Sequence, residues 1–177
     1  GVEDGAMVTQ LVGSSFQEYN FYQNWLNIVG KDFVSPIADG WRLYYEYDLM
    51  DSLYVGEHYC YRLDFFPKSP QDLAFTGSMW ITKDGYALKQ IDVTMGKAAN
   101  INFVEKIKIQ QELEPAEGGA WLPVKNRVLV DVGELTNYSA GMLAKFYTSN
   151  KNFVINKPYD ASFYKTPIIM AEDARQN

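Results

Sequence analysis

From Tyr59 to Met95 apolar residues recur at every second position in three successive runs, each closed by turn chemistry. Tyr59, Tyr61, Leu63 and Phe65 fall on one face of the first run, with Arg62 and Asp64 on the other. Pro67-Lys68-Ser69-Pro70 then breaks it. Phe75, Gly77, Met79 and Ile81 repeat the pattern, and Lys83-Asp84-Gly85-Tyr86 supplies a tight hairpin turn. Ala87, Lys89, Ile91, Val93 and Met95 follow. Farther on, Phe103, Glu105, Ile107, Ile109, Gln111 and Leu113 share a face opposite Lys106, Lys108, Gln110 and Glu112, the clearest half-wet strand of the chain. Glu114 to Gly119 reads as a hairpin loop, Trp121 to Val132 as the returning strand and Met142 to Ser149 as the last full strand, extended by Phe153 to Ile155. Upstream, Trp41 to Leu49 reads as the first strand and Asp51 to Gly56 as a turn region. The fold class is mainly β (α+β): a curved antiparallel sheet of about seven or eight strands, an incomplete β-barrel, and not a βαβ enzyme core.

One helix is expected beside this sheet. Phe16, Tyr19, Tyr22, Leu26 and Val29 stand three or four apart, with Ser15 as N-cap and Gly30 as stop, although the Tyr and Asn content also suits an extended N-terminal half. Ser35-Pro36 and Asp39-Gly40 mark the passage to the sheet. Residues 1–14 carry little pattern and read as the flexible cut edge of a longer chain. Residues 15–177 read as a single domain, without repeats or low-complexity runs.

Composition narrows the class without naming a reaction. The 177 residues are 47% hydrophobic and 21% charged, which is globular rather than disordered. Aromatic content of 15%, led by 13 Tyr, suits half-buried pleated surfaces. A formal charge of -6 with no Lys/Arg block argues against nucleic acid or an anionic membrane as partner. Cys60 is the only cysteine, which excludes an internal disulfide framework and any Cys-rich metal site.

Candidate chemistry is sparse. His58 and Cys60 share a strand face, but no other His or Cys exists to complete a metal site or dyad, so a surface His and a packed thiol is the stronger reading. Asp48, Asp64, Asp92 and Asp131 sit mid-strand on the wetter face, where solvation or cross-strand pairing outweighs acid–base work. Asp72, Asp84 and Asp160 are turn formers. Gly118-Gly119 lacks a strand-to-helix junction, and no nucleophile elbow, zinc-protease motif or nucleotide fingerprint is present. No catalytic residue, metal ligand or cofactor is therefore assigned, and the chain is read as a non-enzyme. Trp80 alternates with Met79 and Ile81, so it belongs to the face opposite the apolar stripe, as second packing surface or partner contact.

Three segments, Tyr22 to Asp39, Tyr44 to Thr82 and Asn100 to Leu113, carry a resemblance. Their Phe-Val-Ser-Pro (Phe33 to Pro36), Phe-Pro-Lys (Phe66 to Lys68), Phe-x-Gly-x-x-Trp-Ile (Phe75 to Ile81) and Asn-Phe-Val (Asn102 to Val104) elements resemble the middle region of an uncharacterised family of Gram-negative outer-membrane proteins. In that family a carboxypeptidase-regulatory-like sandwich precedes the segment and a β-barrel region follows it. The strand series is also similar to the periplasmic lipoprotein carriers, whose concave apolar face holds acyl chains. The resemblance implies a periplasmic or cell-surface accessory module, outer-membrane associated, touching neighbouring domains of the same longer chain or an envelope protein. The alternative is a carrier for a lipid or other apolar ligand, lined by Tyr59, Tyr61, Phe65, Phe75, Met79, Ile81, Ile91, Ile107 and Ile109.

Overall fold

The computed structural model describes residues 19–96, 104–132 and 142–149. Two short strands, β1 (Trp25–Ile28) and β2 (Lys31–Val34), form a hairpin. One turn of 3-10 helix, Trp41–Leu43, then leads into a seven-strand meander. Its strands are β3 (Tyr45–Val55), β4 (His58–Pro67), β5 (Thr76–Thr82), β6 (Leu88–Gly96), β7 (Val104–Pro115), β8 (Trp121–Val132) and β9 (Met142–Ser149). They pair in chain order, every neighbour antiparallel, as short connections favour. Among the described residues β3 and β9 each have one sheet neighbour, so the sheet stays open. It curls nonetheless. The rings of His58 on β4 and Trp121 on β8 lie 5.0 Å apart, whereas four strand spacings in a flat sheet would separate them by about 19 Å.

The turns follow local chemistry. Gly56 and Glu57 join β3 to β4 as a two-residue loop with Gly56 at φ 60, the mirror-type turn that matches strand twist. The β1–β2 turn is more costly, because Val29 sits at φ 50 ahead of Gly30 at φ 76, and a β-branched residue seldom adopts that conformation.

The helix expected between Ser15 and Val29 is not what residues 19–29 form. A turn closed by the Asn20 side chain, whose Oδ1 accepts from the Tyr22 amide at 3.0 Å, passes into β1. There Leu26 and Ile28 are buried while Trp25 and Asn27 are exposed. The two-residue period of β1 thus displaces the three-to-four spacing read from the same side chains, and ladder bonds to β2 take up one edge of its backbone. Two smaller corrections concern strand phase. Of the stretch read as a turn from Asp51 to Gly56, only Gly56 is in a turn; Asp51 to Val55 are the second half of β3, and a bulge between Leu49 and Asp51 resets its alternation. At the start of β7 a bulge between Val104 and Lys106 turns Val104 inward in place of Glu105. Phe103 and Phe153 to Ile155 lie outside the described residues.

The core lies between the β1–β2 hairpin and one face of the meander. Phe21 and Phe33 press on Phe75, at ring separations of 5.8 and 5.3 Å. Tyr45 and Phe65 meet edge-on at 5.8 Å. Tyr45 also ties the layers together: its hydroxyl donates to the Val34 carbonyl and accepts from the Phe75 amide. Ser35 is fully buried and donates to the Phe21 carbonyl, which accounts for the polar member of the Phe-Val-Ser-Pro element. Gly77 of the Phe-x-Gly-x-x-Trp-Ile element has an equally definite reason, since a Cβ there would lie 1.9 Å from the Asp92 carbonyl oxygen.

Candidate functional site

Ile91, Ile107, Ile109, Phe65 and Phe75 are at most 1% exposed, and Met79 is also buried, so six of the nine residues read as a ligand lining are packed within the protein. Ile81 is half-buried against the same core, Tyr61 is half-buried, and Tyr59 is exposed. The lining is therefore brought together on one face, and the β1–β2 hairpin with the turn before it lies over part of it through Phe33 and Phe21.

Sequence reasoning did not foresee a polar layer within this face. Gln111 is 1% exposed; its Nε2 donates to the Tyr19 carbonyl at 2.8 Å and to Asn126 Oδ1 at 2.7 Å. Asn126 continues to Thr148 Oγ1 at 3.4 Å, carrying the layer across β7, β8 and β9. Lys89, also buried, donates to the Leu113 carbonyl at 3.2 Å and pairs with Glu114. Such groups persist inside a protein only when paired, and here the pairing joins four strands.

Cys60 is fully buried, and its thiol contacts the His58 carbonyl at 3.4 Å rather than the imidazole. Burial pushes the thiol pKa up, while nearby Lys89 opposes the shift. A buried, protonated thiol is a poor nucleophile. Burial likewise holds the hydroxyls of Tyr19 and Tyr45 far above the ordinary phenol range. Among the described residues no group of three His, Cys, Asp or Glu is placed to hold a metal ion.

On the opposite face Asp64 accepts from Arg62 Nε at 3.0 Å and from Ser78 Oγ at 2.7 Å. The Arg62 guanidinium stands 5.7 Å from the centre of the Trp80 ring. Trp80 pairs across the strands with Arg62 and Gln90, whereas Met79 pairs with Leu63 and Ile91, so the two side chains occupy different faces. Asp92 lies one strand beyond Ser78 and receives a hydrogen bond from Gln90 at 3.2 Å. Asp64 and Asp92 thus sit in a paired, polar cross-strand row.

The edge strand β3 is the part that sequence reasoning missed. Leu49 is 68% exposed, Met50 55%, Leu53 38% and Tyr54 69%, and the exposed Tyr54 and Tyr59 rings meet at 5.0 Å. Glu46, Asp48 and Asp51 point to the face opposite Tyr45 and Tyr47, and β3 itself carries no Lys or Arg. The signal was present as the apolar residues 49, 50, 53 and 54, but the bulge at Met50 broke their alternation.

These features define a class: an open antiparallel meander with a small hairpin layered on one face. Residues 9–153 match a family of unknown function (DUF5686), and the chain belongs to that family. No curated protein and no solved structure matches the chain.

Proposed function

We propose that the chain is a non-catalytic accessory module of an outer-membrane protein, working in the periplasm or at the cell surface through protein–protein contact. Its partners would be neighbouring domains of the same longer chain or another envelope protein. One observation carries this reading: the side chains that a carrier would turn to its ligand are spent on the protein's own core, while large apolar side chains stand exposed on the outermost strand. The capture of Asp64 by Arg62 and Ser78 and the protonated thiol of Cys60 support a role without catalysis. The resemblance to outer-membrane chains supports the location.

A lipid-carrying role has one observation in its favour: Tyr59, Tyr61 and Ile81 of the expected lining are not fully buried. Native mass spectrometry of the gently purified chain separates the two readings. A contact module flies at the mass of the polypeptide alone. A persistent adduct of lipid size would overturn the proposal.

A further inference from the structure

Strand β3 leaves one edge of the sheet without a neighbour among the described residues. Natural edges are blunted by charge, bulges or short length, because an open row of backbone donors and acceptors recruits other strands. β3 has the acids and the bulge, yet it is 11 residues long and carries four exposed large apolar side chains. A strand shaped only for protection would show polar residues there. Register sorts its side chains by face. Glu46, Asp48 and Asp51 lie on one side together with Leu53, beside Asp64 and the single cation Arg62. Tyr47, Leu49 and Tyr54 lie on the other, where Tyr54 meets Tyr59. Asp48 stands directly opposite Asp64, and Asp64 already holds Arg62 and Ser78. Asp48 is left without an ion partner among the described residues.

We infer that the free edge of β3 docks an extended strand of a partner protein whose side chains alternate basic and apolar. Backbone bonds to the open edge would hold the strand. Its basic residues would fall beside Glu46, Asp48 and Asp51, and its apolar residues beside Leu49 and Tyr54. A second copy of this chain is a poorer occupant. Two-fold pairing of β3 with itself puts the acid-bearing sides of both copies on one face of the joined sheet, and in the register centred between Leu49 and Met50 it sets Asp48 directly against Asp51, where like charges destabilise a ladder. This inference rests on the contact reading and names its surface.

The test measures fluorescence anisotropy of the whole chain with a labelled peptide alternating lysine and valine over about nine residues, the span of Glu46 to Tyr54. Two further peptides serve as comparisons, one with glutamate in place of lysine and one with the same lysines gathered in a block. The alternating lysine peptide should bind at least about tenfold more tightly than either. N-methylation of the amides along one of its edges should abolish binding. Asp48→Lys together with Asp51→Lys, both at exposed positions, should invert the preference toward the glutamate peptide while the thermal midpoint stays near that of the parent. Equal binding of the block peptide would mean attraction to net charge alone and would overturn the inference. So would binding that appears only after residues 150–177 are removed, which would make the chain its own occupant, or concentration-dependent dimerisation without peptide binding. A lipid adduct in native mass spectrometry would instead overturn the contact reading itself.

Discussion

The two ends of β3 belong to one strand and face different surroundings. Tyr45, at its start, is 1% exposed, lies against Phe65 and joins Val34 of β2 to Phe75, just ahead of β5, through its hydroxyl. Tyr54, nine residues on by sequence number, is 69% exposed, and its ring meets another exposed ring of the hairpin, Tyr59. Backbone pairing to β4 continues along both ends, so hydrogen bonding does not set them apart. The difference is cover: Tyr45 and Tyr47 at the first end donate to the Val34 and Pro36 carbonyls and pack into the core cluster, while Leu49, Met50, Leu53 and Tyr54 lie outside that cluster. The same residue type therefore serves as a structural tie at one end and as available surface at the other.

The largest way to break the covered region is at Gly77. Gly77→Val would drive a side chain into the β6 backbone, where even a Cβ meets the Asp92 oxygen at 1.9 Å. A loss of more than about 4 kcal/mol, or failure to fold, is expected in denaturant melts. Ile107→Ala should cost about 2–5 kcal/mol, because Ile107 is fully buried. Its neighbour Lys108, on the opposite face, should cost less than about 0.5 kcal/mol as Lys108→Ala. Coincident midpoints for these two variants would mean that the β7 register is wrong.

Alkaline titration probes the same region. Burial disfavours the phenolates of Tyr19 and Tyr45, so their folded pKa lies above the unfolded value near 10. Above that pH the unfolded chain holds fewer protons than the folded one. Their contribution is fully present below pH 10 and is lost as pH rises beyond it, at up to about 1.4 kcal/mol per unit for each tyrosine. Tyr45→Phe should flatten this slope; an unchanged slope would place the loss elsewhere. The smallest effects belong to the exposed end, where Leu49→Ser and Tyr54→Ser should each change stability by less than about 0.5 kcal/mol in the same melts.

The reasons for legibility differ from strand to strand. The bounds of β8 and β9 were readable at their terminal residues, because alternation and turn chemistry agree there. Ile107 and Ile109 announced the inner face of β7 for the same reason. The outer half of β3 was hidden because one inserted residue, Met50, shifts the phase that the reading depends on. The hairpin was hidden because Tyr19, Tyr22, Leu26 and Val29 happen to satisfy helical spacing, while its turn places valine where sequence rules expect Asn or Gly. That second miss bears on the candidate site. An apolar sheet face is visible in the alternation of Phe75, Met79 and Ile91, but what covers it is decided by a separate segment. Here Phe21 and Phe33 supply that cover. Gln111 and Lys89 interrupt the apolar pattern without breaking the fold, because their partners come from other strands and from Tyr19 ahead of the hairpin.

Amide hydrogen exchange of the whole chain, recorded before and after addition of the alternating lysine–valine peptide, tests the central claim most directly: contact is made at the open edge, and the covered face is core. In the free protein, amides around Ile91, Ile107 and Ile109 should exchange slowest, and those from Leu49 to Tyr54 much faster. The peptide should add protection from Glu46 to Tyr54 and leave Trp25 to Val34 unchanged. Protection gained under the hairpin or along Tyr59 to Ile81, with none on β3, would contradict the account.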